Sequence, residues 1–381
     1  MKICAIICEY NPFHNGHLYQ INQAKRVSNA DALLCLMSGN FVQRGEAAIF
    51  EKHVRAKHAI SAGADIVLEL PTVFSTSNAE LFAKGAIHIL SSIPAVSSLC
   101  FGCETANKEQ FLNAARLLNE EPKEISLTIK NALAMGTSYA KARALAWAKY
   151  ISTDLLSSPN NILGIEYTKA ILKKGATLDI LPIQRLGGGY NDVALNKEYS
   201  SASAIRTALA NGKSILKDVP AFVLKDLNKV CISNLETLEK YALLSRKTSE
   251  IAQICDCTEG LENALKKAAE SETSIIETLT SARYTSSRIR RIALQNLLKI
   301  DKSLIEQSLQ TPLYCRVLAA KKERTDILAA LSESSFPILA RAHDHKMLSK
   351  AAMDCYEKDL FAEKIYGLFL EKQTVNKTVF I

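Results

Sequence analysis

The 381-residue sequence predicts an α/β fold, a parallel sheet with helices on both faces, followed by a mostly α-helical C-terminal domain. Three observations predict it. Short apolar runs alternate with helix-period segments through the first half. Glycine and proline punctuate those segments where strands and helices should end. Beyond Pro220 the pattern is helical to about residue 372, with breaks near Pro312 and Pro337 and no convincing parallel strand.

The apolar runs at Ile3–Cys8, 32–37, 65–70 and 97–101 read as buried parallel strands, since a strand covered on both faces has no polar alternation. Helical patterns at 18–28, 50–62, 78–90 and 108–118 lie between or after them. A βα repeat of this kind is Rossmann-like. Residues 124–150 and 160–174 are helical, the latter closed by Gly175, and 177–183 returns to strand. The helical piece at about 124–175 therefore reads as an insertion before the last strand of the sheet. Gly187-Gly188-Gly189 predicts a loop and 200–211 a helix closed by Gly212. The expected domains are 1–220 and 221–381.

Composition excludes several classes. With 48% hydrophobic and 23% charged residues, the chain is neither disordered nor fibrous. No apolar stretch reaches the ~18 residues of a membrane helix, so no membrane partner is expected. Ten cysteines, mostly inside apolar runs, suit reduced core thiols in the cytoplasm better than a secreted disulfide framework. Cys100-x-x-Cys103 and Cys255-x-Cys257 lack the second pair or spaced histidines of a zinc site, so no metal-ligating set is expected. The net charge of +8 and pI near 8.8 are compatible with a nucleotide or nucleic-acid partner without requiring one.

The chemistry concentrates in Asn11-Pro12-Phe13-His14-Asn15-Gly16-His17, between the first strand and first helix. Ligands of parallel sheets collect at strand carboxyl ends, where helix N-termini present unpaired N–H groups to phosphate. Gly16 lets phosphate approach the backbone. His14 and His17 share the first helical turn and, protonated or as neutral N–H donors, suit charge developing on a transferring phosphoryl group. The segment is not a dinucleotide fingerprint, and the chain contains no Walker A sequence. A second segment, Ser200-Ser201-Ala202-Ser203-Ala204-Ile205-Arg206, opens a helix after the last strand. Its hydroxyls can cap that helix, and Ser203 and Arg206 can reach phosphate.

Paired in this order, the two segments resemble the signatures of the nucleotidyltransferase superfamily that includes pantetheine-phosphate and nicotinamide-mononucleotide adenylyltransferases. Further segments narrow the likeness: Met37-Ser38-Gly39-Asn40-Phe41-Val42-Gln43-Arg44-Gly45-Glu46, Gly63-Ala64-Asp65-Ile66-Val67-Leu68-Glu69-Leu70-Pro71, Phe101-Gly102-Cys103-Glu104, Ser158-Pro159-Asn160-Asn161-Ile162-Leu163-Gly164 and Ile183-Gln184-Arg185. Together they resemble the bacterial tRNA(Met) cytidine acetate ligase family over essentially the whole chain, most closely over the first ~210 residues. Cys103 stands where a small polar residue is expected.

The resemblance implies a two-step reaction. Acetate attacks the α-phosphate of ATP to give acetyl-adenylate and pyrophosphate. The N4 amine of the wobble cytidine of elongator tRNA(Met) then takes the acetyl group, giving N4-acetylcytidine. It also implies ATP contacts along Ile7, Cys8, Glu9, Tyr10, Asn11, Pro12, Phe13, His14, Asn15, Gly16, His17, Leu18, Tyr19 and Gln20, completed by Gly102, Asn160 and Arg185. His14, His17 and Arg44 are the expected catalytic residues, Arg44 being placed to hold acetate or pyrophosphate. Mg2+ is expected with the triphosphate, without a dedicated protein cage.

Other charged residues are read more plainly. Lys52, Arg55 and Lys57 fit either the site or a solvated basic face, and Asp65 fits a turn or cap better than a base. In the helical half, Arg283, Arg288, Arg290 and Arg291 surround a helix start beside Tyr284, a composition suited to RNA backbone and an unstacked base. Lys321, Lys322 and Arg324 form a lesser cluster, and the single Trp147 reads as packing. Two alternatives stay open from the residues alone: a small-molecule adenylyltransferase acting on a phosphorylated metabolite, and a non-catalytic RNA-binding protein on the same fold.

Overall fold

The computed structural model describes all residues except 121, 138, 187–198, 232–233, 342 and 371–377, and the side chains of 139–141 also lie outside the description. The glycine run at 187–189 therefore falls outside the described residues. Strands β1 (Ile3–Cys8), β2 (Ala32–Ser38), β5 (Ile66–Leu70), β6 (Val96–Cys103) and β7 (Asp179–Gln184) form the parallel body of the sheet, in the order β5-β2-β1-β6-β7. A short hairpin, β3 (Phe41–Val42) and β4 (Glu46–Ala47), projects between β2 and β5 in sequence. The chain runs outward from β1 through β2 to β5, then crosses back to lay β6 on the other side of β1. That reversal opens a crevice at the carboxyl ends of β1 and β6.

The alternating side chains of the strands divide between two cores. Ile3, Ala5, Leu34, Leu36, Ile66 and Leu68 face one layer, with helices Ala79–Leu90 and Pro159–Lys174. Cys4, Ile6, Leu33, Cys35, Met37 and Val67 face the other, with helices Asn15–Ser28, Lys52–Ser61 and Ala202–Ala210. Period-two alternation with both sides buried explains why these strands read as unbroken apolar runs. Cys103 is fully buried and its thiol donates to the Ile183 carbonyl at 3.5 Å. Trp147 is also fully buried.

The C-terminal half corrects one expectation. It is mostly helical, but it also supplies strands β8 (Cys315–Ala320), β9 (Ile338–Leu339) and β10 (Val379–Phe380). β8 runs antiparallel to β5, and β9 and β10 pair with β8 in parallel. Cys315 through Ala320 is buried throughout, so its unalternating run cannot be told from a buried helical turn by periodicity. A third core, including Leu243, Ile251, Leu265 and Ile292, holds the helices between 243 and 292 together.

Two buried ionic groups join these layers. Glu69 and Lys52 are 2.8 Å apart, and Arg316 lies 3.0 Å from Glu69 and 2.8 Å from Glu363. Burial pushes the Glu69 carboxyl up, but Lys52 and Arg316 together pull it below its ordinary value. Arg55 is fully buried and donates to the carbonyls of Phe50 (2.9 Å), Glu9 (2.6 Å), Ser38 (3.1 Å) and Gly39. Of Lys52, Arg55 and Lys57, only Lys57 is exposed. Asp65 accepts from the Leu33 amide and Lys321, each at 2.8 Å, and pairs with Arg324 at 3.2 Å. It is a structural residue, and it also accounts for much of the lesser basic cluster.

Replacing Arg55 by Met should destabilise the fold by roughly 3 kcal/mol or more, because several buried carbonyls lose their donor at once. Arg55→Lys should recover little, since an ammonium cannot fan out to carbonyls on three segments. Chemical denaturation of the three proteins measures both; a wild-type midpoint for Arg55→Lys would contradict the role.

Candidate active site

The crevice is a cleft open to solvent, with about 1110 Å³ of space when the solvent at its mouth is included. Its first wall is the turn after β1. The backbone bends at Tyr10 (φ 50°) and at a cis Asn11–Pro12 bond before helix Asn15–Ser28 begins. His14 is the N-cap of that helix. Its Nδ1 accepts from the Gly16 amide at 3.1 Å, and His17 Nδ1 accepts from the His14 amide at 3.3 Å. The reciprocal pair satisfies two otherwise orphaned N–H groups.

This cap fixes the protonation of both rings. An Nδ1 that accepts a hydrogen bond carries no proton, so each neutral imidazole carries its hydrogen on Nε2. Burial, helped by the Arg185 charge, pushes His14 down to about 3. Burial, His14 and Arg185 likewise hold His17 well below its ordinary value. The rings stack with centroids 3.7 Å apart, and Tyr10 packs edge-on against His17 at 4.9 Å. Both histidines line the cleft as oriented N–H donors. Of the two forms open from sequence, the geometry selects the neutral one.

The opposite wall comes from β6, β7 and the inserted helices. Glu104 accepts from the Asn160 side chain at 2.6 Å and from the Asn161 amide at 3.0 Å, which caps helix Pro159–Lys174 and turns Asn160 into the cleft. Asn161 returns the contact, accepting from the amides of Glu104 (2.9 Å) and Thr105 (3.1 Å). Two segments far apart in sequence thus lock together. The Arg185 amide donates to the Cys103 carbonyl at 2.9 Å, and a Cβ on Gly102 would lie 3.4 Å from the Arg185 side chain.

The floor and mouth are set by the hairpin and by helix Ala202–Ala210. Ser201 caps that helix by accepting from the Ala204 amide at 3.0 Å. One turn on, Arg206 donates to the Asn11 carbonyl at 2.8 Å and lies 3.3 Å from Glu46 and 3.4 Å from the Ser203 hydroxyl. Arg44 lies at the hairpin tip and lines the cleft. Glu9 accepts from the Gln43 amide at 2.8 Å. Its carboxyl is raised by burial against the pull of the Gln43 amide, Arg206, Arg44 and Arg55.

The cleft therefore gathers Ile7, Cys8, Glu9, Tyr10, Asn11, His14, His17, Gln20, Arg44, Gly102, Asn160, Arg185, Ser203 and Arg206. Gly16 and Tyr19 line its extension beside Arg185. Pro12, Phe13, Asn15 and Leu18 do not line either space. Phe13 is fully buried against Tyr10 and Phe222, Asn15 donates to the Lys217 carbonyl at 2.8 Å, and Leu18 packs on the core. A helical turn sends only part of a contiguous run toward any one ligand. Gln43, Glu46 and Leu163, which stand in the quoted segments without an assigned role, also line the cleft, as do Phe82 and Tyr167, which the sequence did not single out. Leu163 and Tyr167 follow Asn160 at helical spacing, which is a signal legible once Asn160 is placed.

The four arginines of the helical half have different surroundings. Arg283 is 66% exposed and pairs with Glu259 at 2.9 Å. Arg288 donates to the Asp256 carbonyl at 2.7 Å and lies over the Tyr284 ring. Arg291 is 12% exposed and 3.6 Å from Asp256. Arg290, 38% exposed, pairs with Glu46 at 2.6 Å, so the arginine-bearing helix Ser286–Leu298 touches the mouth of the cleft.

A family model described as HIGH nucleotidyltransferase matches residues 1–379. The tRNA(Met) cytidine acetate ligase of Caldanaerobacter subterraneus subsp. tengcongensis is 37% identical over 100% of this chain and 98% of its own. That of Clostridium novyi is 36% identical over 100% and 96%. The apo crystal structure of Thermotoga maritima TmcAL superposes with a TM-score of 0.92 at 29% identity, covering both chains fully. The form bound with alpha-thio ATP gives 0.90 at 28% identity, again over the whole of both chains. The chain belongs to the tRNA(Met) cytidine acetate ligase family of HIGH nucleotidyltransferases.

Proposed function

We propose that this protein is an ATP-dependent acetate ligase that acetylates N4 of the wobble cytidine of elongator tRNA(Met). The observation that carries the reading is the convergence of two neutral histidine donors with Arg44, Arg185 and Arg206 on one cleft. The full-length similarity to named ligases and to an alpha-thio ATP complex supports the same reading. In the first step an acetate oxygen attacks the α-phosphorus, and the bond to the β-phosphate bridging oxygen breaks to release pyrophosphate. Acetate is already ionised near neutrality, so the step needs charge stabilisation more than a base. His14 and His17 supply N–H donors, Arg206 and Arg185 supply positive charge, and Arg44 holds acetate or pyrophosphate. In the second step the cytidine amine attacks the acetyl carbonyl, loses a proton, and displaces AMP.

Mg2+ would enter with the triphosphate. Such an ion would be held chiefly by phosphates and water; among the described residues no group of three or more His, Cys, Asp or Glu gathers. Residues 1–220 would activate acetate and residues 221–381 would hold the tRNA. Arg283 and Arg290, 66% and 38% exposed, would meet RNA backbone, while Arg288, bonded to the Asp256 carbonyl, and Arg291 would shape the surface from behind. No helix among the described residues is long and apolar enough to cross a membrane, and buried free thiols agree with work in the cytoplasm.

Incubation with ATP, acetate and unmodified elongator tRNA(Met) should yield N4-acetylcytidine by nucleoside mass spectrometry; folded protein that makes none would refute the reading. His17→Ala and Arg44→Ala should each slow acetate-dependent ATP–pyrophosphate exchange by about 10²-fold or more, with wild-type thermal stability preserved for Arg44→Ala.

The cap makes the stability of the protein depend on pH. The unfolded chain binds histidine protons near pH 6.5, whereas folded His14 does so only at about 3. The stability contribution of the neutral rings is thus whole above pH 6.5 and drains away as pH falls toward 3. In ligand-free protein the NMR signals of both rings should report the Nε2–H tautomer unchanged from pH 8 to 5. A titration midpoint near 6.5 at either ring would contradict it.

A further inference from the structure

One carboxylate serves two arginines that face different ligands. Glu46 Oε1 lies 2.6 Å from Arg290 on the helical half, and Oε2 lies 3.3 Å from Arg206 in the nucleotide cleft. Arg206 is held in place by the Asn11 carbonyl at 2.8 Å. The bridge has little room to slide. Gly45, at φ +74°, presses so closely on the helix that an added Cβ would lie 2.5 Å from the Arg291 nitrogen and 2.6 Å from the Arg290 carbonyl carbon.

We propose that Glu46 is a positioning residue that couples the two binding events, so that nucleotide phosphate at Arg206 and RNA phosphate at Arg290 weaken each other. This rests on the ligase reading and on Arg290 as an RNA contact. The physical argument is one of counting charges. With both arginines free of ligand, Glu46 is shared. A phosphate on Arg206 leaves Glu46 wholly to Arg290, and RNA must then displace a fully committed partner. If both arginines are taken, a quarter-exposed carboxylate stands beside two phosphates without a counter-ion. The penalty is reciprocal by linkage.

The test uses the full chain without acetate, with α,β-methylene ATP and unmodified elongator tRNA(Met) as probes in calorimetry or fluorescence titration. Saturating tRNA should weaken binding of the ATP analogue about fivefold, and the analogue should weaken tRNA binding by the same factor. Glu46→Gln keeps the side-chain shape and removes the charge; the factor should collapse to about one, with both ligands binding at least as tightly as in the wild type. Arg290→Ala should leave analogue affinity at the weak, tRNA-saturated level whether or not tRNA is present. Equal analogue affinity with and without tRNA in the wild type overturns the proposal. So does a factor that survives Glu46→Gln, which would trace the antagonism to direct repulsion between the ligands. Failure of the wild type to bind either probe would remove the ligase reading and this coupling with it.

Discussion

A single buried guanidinium holds the ends of the central strands in place. Arg55 reaches the Glu9 carbonyl just past β1, the Ser38 and Gly39 carbonyls at the end of β2, and the Phe50 carbonyl at the start of its own helix. Parallel strands end in carbonyls that no neighbour satisfies, and here those ends lie under protein rather than in water. The planar fork answers several of them at once and fixes the backbone from which Glu9, Tyr10 and the hairpin project. Burial lowers the Arg55 pKa, with Tyr366, Glu51, Cys8 and Glu9 opposing it; so strongly basic a group keeps its charge regardless. Everything that the cleft presents on the β1–β2 side hangs from this knot.

Above it the site divides its labour between charge and orientation. Arg185 and Arg206 bring fixed positive charge, and the Arg185 charge helps to keep His14 and His17 neutral. Neutrality costs the site two potential cations but gains two donors whose direction is set by the helix cap. A phosphorane-like transition state gains from donors already aimed, because no reorganisation is left for the chemical step. The Tyr10 and Phe13 rings back this pair, so a residue such as Phe13, which never lines the cleft, still belongs to the segment's function.

Much of this is legible in the sequence, for identifiable reasons. The apolar runs mark the parallel strands because both sides of the sheet are covered. Gly175, at φ 63°, closes the helix Pro159–Lys174 with a left-handed cap that few other residues adopt readily. His14, Gly16 and His17 stand out because a helix start after a strand is where phosphate binds. The rest depends on distance in space. Lys52 and Arg55 resemble a solvated basic stripe until Glu69 and the strand-end carbonyls arrive from elsewhere in the chain. The short hairpin carries no periodicity over two-residue strands. β8 hides its strand character in a fully buried run.

The arginine-bearing helix shows how the same residue type separates into roles once folded. Composition alone groups Arg283, Arg288, Arg290 and Arg291, but Asp256 claims Arg288 through its carbonyl and Arg291 through its carboxylate. A guanidinium already committed to a half-buried protein partner has less to offer a phosphate, since a new contact must first displace the one it has. Arg290 is different because its partner, Glu46, already faces the nucleotide cleft. The β5–β8 pairing and the buried Glu69–Arg316–Glu363 chain anchor the C-terminal half to the same sheet that carries the cleft. A rigid attachment of that kind keeps Arg290 and Arg206 on one carboxylate. The proposed RNA surface around Arg290 and the cleft around Arg206 are therefore parts of one electrostatic unit.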